Sequence, residues 1–429
     1  MQKPEPSPVE HELGMHVYMT GSDGVGGSIK NEIDDFVVEE IPLLPSSRED
    51  GRFLICKVTA TNWETNRLIR EISRRLRISR KRIGFAGTKD KRGVTSRYMS
   101  FEDVDEEAVS SLHISDVVVE AVQRSPRALY LGDLQGNRFR IRIRECNFSG
   151  NKLEDMANSI LSKIGAAGGF PNFFGIQRFG SLRPNTHTVG LKIVRRDFEG
   201  AVHAYAGTPS DRESDDVREV RRLFDDGTPA AEVLRSMPRV MVFERILLEH
   251  LASNPGDYVG ALRKLPQNLL MMFVHALQGK LYNEMISMRI ARGVTLSRAV
   301  VGDVVLASTE HGLPDRDRRI DVKSVNLEAV NRQIEAGNGF VSAMLLGWES
   351  VYADGLQGEI EREVVRSSGL SGQDFIVPEI GECSSSGSRR EILASVKSVS
   401  VSADENDLLL GFSLFRGAYA TSLLREIMK

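Results

Sequence analysis

The sequence predicts a mixed α/β (α+β) protein in which one domain is inserted into another. Strand signals dominate the first part of the chain, helical periodicity the middle, and strand signals return before the C-terminus. The 429 residues give room for two or three domains, each with its own core. On the inserted reading, residues 1–185 and 349–429 form one domain and residues 186–348 the insertion. Three domains in succession is the plainer alternative. No repeat at a fixed period points to a solenoid.

In chain order, residues 1–27 read as an exposed arm ending in "GSDGVGG". "IKNEIDDFVVEEIPL" and "RFLICKVTA" follow as strand candidates. "TNWETNRLIREISRRLRIS" reads as a helix. Leu68, Ile69, Ile72 and Leu76 form its apolar stripe, and Thr61 and Glu64 have the spacing of a capping box. "GFAGTKDKRGVTSR" is a turn running into a strand, and "EDVDEE" is an acidic loop or helix start. "NRFRIRIREC" alternates strictly, with Phe139, Ile141 and Ile143 on one face and Arg138, Arg140, Arg142 and Arg144 on the other. After about residue 186 the pattern turns helical, as in "REVRRLFDD" and "NLLMMFVHALQGKLYNEMISMRIARG", and stays so to about residue 345. "REILASVKSVSVSA" and "LLLGFSLF" then read as strands, and "YATSLLREIMK" as a closing helix.

Composition excludes several function classes. The longest apolar run, "LLMMFV", is too short to span a bilayer, and no N-terminal apolar segment suggests a secretion signal. Cys56, Cys146 and Cys383 are far apart and form no CxxC, so neither a zinc site nor a disulfide framework is expected. The net charge of −3 does not announce a nucleic-acid partner. Its distribution does. Between Arg67 and Arg92 stand eleven Lys/Arg and only two acids, Glu71 and Asp90. With the arginine face of residues 138–144, this makes two basic elements flanking one carboxylate. A single basic helix is most often a solvated face. Two of them beside Asp90 point to a phosphate backbone, with Arg74, Arg75, Arg77, Arg80 and Arg82 as contacts.

The glycine-rich stretches fit neither GxxxxGK[ST] nor GxGxxG, Asp90 has no second acid at metal-site spacing, and no GxSxG occurs. His187 is read as a structural hydrogen-bonding residue. What remains is chemistry that one carboxylate performs without a metal or cofactor. Isomerisation at a glycosidic carbon qualifies: the carboxylate adds to the sugar carbon or removes a sugar proton while the base departs. The base must leave its stack to be reached, which calls for an aromatic platform and a few polar contacts.

The motif "GFAGTKDKRGVTSRYMS" resembles that of the tRNA pseudouridine synthase D (TruD) family. So, in order, do "IKNEIDDFVVEE", "LGDLQGNRF", "PNFFGIQRFG" with "RPNTHTVG", and "GAYATSLLRE". The resemblance covers nearly the whole chain and points to an archaeal-type member. It implies a catalytic core with a mixed, largely antiparallel sheet and flanking helices, plus the inserted family-specific domain. It implies a cofactor-independent isomerase that converts a uridine of tRNA to pseudouridine: by family usually uridine 13 of the D-arm, with other uridines, one in a tRNA anticodon among them, associated with archaeal and eukaryotic relatives. Asp90 falls on the catalytic aspartate. Lys30, Phe36, Asn137, Phe139 and Tyr419 fall on substrate-binding positions. No cofactor and no metal is implied. The expected setting is cytoplasmic, as a monomer, with tRNA as partner and no protein partner or membrane. Two departures stand out: Leu414-Phe415-Arg416-Gly417 replaces the family's usual Leu-Pro-x-Gly, and "AMLLGWES" lacks Pro-Leu-Pro-Gly. The rival from another class is an RNA-binding folding chaperone that has lost catalysis. Retention of Asp90, Lys30, Asn137 and Phe139 together speaks against it.

Overall fold

In a computed structural model that describes residues 4–429, the chain divides into two units. The first is built from Thr20–Phe170 and Ala394–Lys429, the second from Glu5–Met19 and Pro171–Leu393. The sequence pattern drew the limits at 185 and 349; the second unit extends past both. Polar hooks explain why. The Asn283 side chain accepts from the Phe174 N–H at 2.8 Å and donates to the Phe174 carbonyl at 3.0 Å, while Ser388–Glu391 forms an edge strand of the second unit's sheet.

The first unit is organised by a nine-stranded sheet. Its strands are β1 (Gly26–Ile29), β2 (Phe36–Pro42), β3 (Phe53–Thr61), β4 (Ile83–Phe85), β5 (Val94–Glu102), β6 (Val117–Ser125), β7 (Leu134–Cys146) and a terminal hairpin of Lys397–Asp404 and Asp407–Phe415. Across the sheet the order is Lys397–Asp404, Asp407–Phe415, β7, β2, β5, β3, β6, with β1 also on β7 and β4 also on β5. Only β2 and β5 run parallel, pairing Val37 with Val94; the other pairings are antiparallel. The alternation read in residues 137–146 holds through Arg144: Phe139, Ile141 and Ile143 are buried, and the arginines lie on the opposite, more exposed face; at Glu145, with φ 56°, the parity shifts and Cys146 is buried. That long strand lies between β2 and Asp407–Phe415, so it brings Phe36, Phe139 and Phe412 into neighbouring register.

The expected helix spans Thr65–Leu76 and buries Leu68, Ile69 and Ile72 against Leu54, Cys56, Val58, Met99 and Phe101. Each such aliphatic side chain contributes roughly 1.5–3 kcal/mol by leaving water. The capping box is not formed. Thr61 is the last residue of β3, and Glu64 itself is the N-cap, accepting from the N–H groups of Asn66 and Arg67 at 2.9 and 2.8 Å.

The N-terminal segment is not the exposed arm that its composition suggested, as far as the described residues show. Leu13 and Met15 are buried in the second unit, where Asn283 and Ser287 donate to the carbonyls of Leu13 and Gly14. In the first unit, Val25 is buried and its N–H donates to Ile427 O at 2.8 Å, in the C-terminal helix Ala420–Met428.

The second unit centres on the helix Gln267–Ala291, whose buried side chains lie on all sides, as the apolar pattern predicted. The helical middle also contains a four-stranded antiparallel sheet that the sequence did not announce. Its order is Pro314–Asp321, Val304–Ser308, Gly339–Leu345, Ser388–Glu391. The strand "PDRDRRID" is a charged, solvent-facing edge, so it lacks the apolar alternation that identifies a half-buried strand. No helix among the described residues is long and apolar enough to cross a membrane.

Candidate active site

Asp90 lies in the turn between β4 and β5, and the structure gives it one cationic partner from far away in sequence. Lys30, in the loop before β2, sets its Nζ 2.8 Å from Asp90 Oδ2 and 4.1 Å from the centre of the Phe36 ring. The Asp90 side chain keeps 46% of its surface and Lys30 19%, so the pair is open on one side. Lys30 adopts φ 61°, a left-handed backbone unusual for a residue with a side chain. Beneath the pair, Phe36 meets Phe139 edge-on at 6.3 Å, and Phe139 stacks on Phe412 at 5.2 Å. Asn137 shares the inward face of β7 with Phe139, and its Oδ1 is buried with no hydrogen-bond partner among the described residues. A buried acceptor left open costs free energy, which a ligand donor can recover.

Each candidate residue now has a location. Lys30, Asp90, Phe36 and Phe139 come together through the contacts above. Asn137 stands two residues from Phe139 on the same face. Tyr419 is the N-cap residue of the Ala420–Met428 helix, half-buried, four residues past the strand that carries Phe412. Phe139 is only 8% exposed. It is chiefly a core residue, with little of its ring left for a base.

The turn itself is pinned from several directions. Lys89, next to Asp90, points away from it and buries its ammonium against Glu40 at 2.5 Å, their side chains 5% and 0% exposed. Glu40 also accepts from the Tyr98 N–H at 3.2 Å. Burial holds the Lys89 ammonium below the usual lysine range despite Glu40. Arg97, fully buried beside them, donates to Thr65 Oγ1 and Thr95 Oγ1 at 2.7 Å. Burial lowers it to about 10, with Glu40 and Glu64 opposing. Thr65 Oγ1 accepts the Lys89 N–H at 3.2 Å, and Arg92 donates to Asn31 O at 2.8 Å beside Lys30. Gly93 closes the turn: at φ 152°, a Cβ there would stand 2.5 Å from Phe36 O.

Sequence reasoning missed Glu40, Lys89, Arg97 and Phe412. Phe412 was within reach, because it holds an inward position in the alternation of "LLLGFSLF". Glu40 carried no signal, since inward parity is no sign of a buried charge partner. The basic strip is also smaller than expected. Arg74 and Arg75 share Glu71, whose carboxyl their hydrogen bonds lower to about 2, and Arg82 donates to the carbonyls of Glu102 and Asp103. On β7, Arg142 pairs with Asp404 and Asp407, and Arg144 with Asp35. Arg77 and Arg80 are exposed, with no ion pair among the described residues.

The comparisons with known proteins agree along the chain. The family profile described as tRNA pseudouridine synthase D (TruD) matches residues 12–427. The chain belongs to the TruD family. A relative from Methanococcoides burtonii bearing the name "Probable tRNA pseudouridine synthase D" is 42% identical over 98% of this chain and 97% of its own length. One of the same name from Halobacterium salinarum is 37% identical over 99% and 98%. A crystal structure of the "Putative tRNA pseudouridine synthase D (TruD)" from Methanosarcina mazei matches with a TM-score of 0.85 at 40% identity, covering 100% of this chain and 98% of that one. TruD-family proteins are isomerases, and this chain is an enzyme of that class. In this TruD-family chain, the motif aspartate is the carboxylate paired to Lys30, and the "GNRF" motif supplies the orphan amide and the buried ring.

Proposed function

We propose that this chain isomerises one uridine of tRNA, uridine 13 of the D-arm, to pseudouridine, with Asp90 as the reacting carboxylate. The observation that carries the proposal is the Asp90–Lys30 pair: a solvent-open carboxylate held by a single cation above an aromatic cluster, beside a buried acceptor without a donor. The substrate uridine leaves its stack. Its ring lies against the edge of Phe139, near Phe36 and Tyr419, and its N3–H donates to Asn137 Oδ1. Asp90 either adds to C1′ as the N1–C1′ bond breaks, or takes the C2′ proton as the base departs. The detached uracil turns, and C5 bonds to C1′ as the Asp90–C1′ bond breaks on the first path, or as Asp90 returns its proton to C2′ on the second; the C5 proton then leaves and N1 takes one up. Atoms and electrons balance within the nucleotide, so no oxidant or cofactor is consumed. Lys30 holds the carboxylate in place through its 2.8 Å ion pair. The part read as catalytic domain carries this site, and the insertion, drawn at 186–348 from the sequence, adds tRNA contact. The enzyme acts as a cytoplasmic monomer.

The test is to incubate unmodified tRNA with the wild-type chain and with Asp90→Asn, then map pseudouridine chemically. Wild type modifies position 13. Asp90→Asn keeps size and polarity, so it binds tRNA and forms no detectable product. Comparable product from Asp90→Asn ends the mechanism, and tRNA refolding without product from wild type favours the chaperone reading.

A further inference from the structure

Beside the pinned turn, the first unit displays two large apolar side chains in water. Tyr130 is 61% exposed and Leu131 72%. They sit on a built reverse turn. The Asp133 N–H donates to Tyr130 O at 3.0 Å, and Gly132, its third residue, has φ 101°, the value that such a turn gives to glycine. The turn is tied down throughout. Asp133 accepts from the Tyr130 N–H at 2.9 Å and from Arg127 at 2.6 Å. Leu129 is buried, and its N–H donates to Ser100 Oγ at 3.0 Å. The Gly132 N–H donates to Ala86 O at 2.8 Å, and Arg416 donates to the Gly132 carbonyl. Gly84 lets the segment approach, since a Cβ there would lie 2.4 Å from Leu129 O. Ala86 is four residues from Asp90, a chain length of at most about 14 Å.

A segment this firmly held has no need to leave a tyrosine and a leucine in solvent for packing. We propose that Tyr130 and Leu131 stand in the base stack of the substrate tRNA next to the target uridine, holding open the gap it leaves. The inference rests on the tRNA reading of the Asp90 site. Two side chains fit one base step, whereas a stable protein interface buries about 800 Å² per partner. The surroundings suit RNA: Arg127 is taken by Asp133, but exposed Arg416 braces the turn and exposed Lys91 and Arg92 follow Asp90, so cations for phosphates accompany the apolar tip. Stacking on an aromatic ring is tolerant of sequence, so the pair holds the stack without choosing the base.

The experiment measures single-turnover pseudouridine formation and tRNA affinity for wild type, Tyr130→Ala with Leu131→Ala, and Val118→Ala, the last removing a side chain 59% exposed on β6. Two substrates are used: intact tRNA, and the same tRNA with the nucleotide opposite the target removed, so that the uridine is already loose. On intact tRNA the double variant is slower by roughly ten- to a hundredfold, with affinity changed only a few-fold. On the loosened tRNA that deficit shrinks to a few-fold. Val118→Ala matches wild type on both. An equal rate for the double variant and wild type overturns the proposal, as does the same deficit on both substrates. A shift of the wild-type oligomeric state that the double variant abolishes would make the tip a self-association face instead. If wild type forms no pseudouridine on either tRNA, the function reading fails and this inference with it; if wild type is active, only the inference is at stake.

Discussion

Removing the charge of Glu40 should destabilise the protein more than removing the charge that Glu40 neutralises. Glu40→Gln keeps the shape of the side chain but leaves the Lys89 ammonium, 5% exposed, without its carboxylate, and takes an opposing charge from buried Arg97. Breaking a buried pair in this way costs about 3–5 kcal/mol, because a charge stays buried and uncompensated. Lys89→Met is different. Glu40 then still faces the Arg97 guanidinium and still accepts the Tyr98 N–H, so about 1–3 kcal/mol is expected. The order reverses in catalysis. Lys89 is covalently next to Asp90 and its side chain anchors the turn, so Lys89→Met loosens the carboxylate; a displacement of about 1 Å costs around a hundredfold in rate. Urea unfolding at pH 7 measures the first ranking and single-turnover rate on tRNA the second. Lys89→Met proving as destabilising as Glu40→Gln, or leaving the rate untouched, would refute the account of the buried pair as an anchor.

Two further outcomes follow from side chains away from that pair. Burial, helped by the charge of Lys280, lowers His187 to about 4, so between pH 6.5 and 4 the unfolded chain takes up a proton that the folded one refuses. Stability is full above pH 6.5 and falls by about 3 kcal/mol as pH drops to 4, a loss that His187→Gln should remove from urea unfolding of the unit that holds it. Arg77→Ala and Arg80→Ala should each flatten the log–log salt dependence of tRNA binding by about one unit, whereas Arg74→Ala, whose partner is Glu71, should change it less; a wild-type slope for Arg77→Ala and Arg80→Ala would mean that these arginines face bulk solvent.

Legibility followed periodicity. β7 was readable because the strict alternation from Arg138 to Arg144 is the mark of a strand with one buried face, and the helix Thr65–Leu76 because its apolar stripe repeats at helical spacing. The strand Pro314–Asp321 was not, because an exposed edge strand buries no face and therefore writes no pattern. The N-terminal arm was misread for a related reason. Polar composition hides a segment whose few apolar residues, Leu13 and Met15, are buried and whose backbone is held by side chains some 270 positions away, as the Gly14–Ser287 bond is at 273. At the site, the proximity of Lys30 to Asp90 came from family resemblance and not from spacing, since 60 residues separate them. Glu40 and Arg97 escaped because burying three charged groups together runs against the usual exposure of such side chains, and nothing local marks the exception.

The cations around Asp90 account for one acid standing in so basic a stretch. Arg74 and Arg75 are taken by Glu71, Lys89 by Glu40, Arg82 and Arg92 by backbone carbonyls, and Arg67 lies over Trp63. None of these serves the motif carboxylate. Its partner is imported from the loop before β2, where Lys30 holds a left-handed backbone that costs about 1–2 kcal/mol for a residue with a Cβ. An ion pair whose carboxylate is 46% exposed returns about 0–1 kcal/mol. The arrangement therefore gains no net stability from its own contacts. Strain that its local interactions do not offset is characteristic of a functional position, where geometry rather than stability fixes the residue. The same holds for the buried Oδ1 of Asn137, which lacks a donor among the described residues. Two independent deficits, one of backbone strain and one of an unmade hydrogen bond, accompany the same aromatic cluster, and a bound nucleotide that donates to Asn137 and lies under Asp90 would relieve the second while using the first.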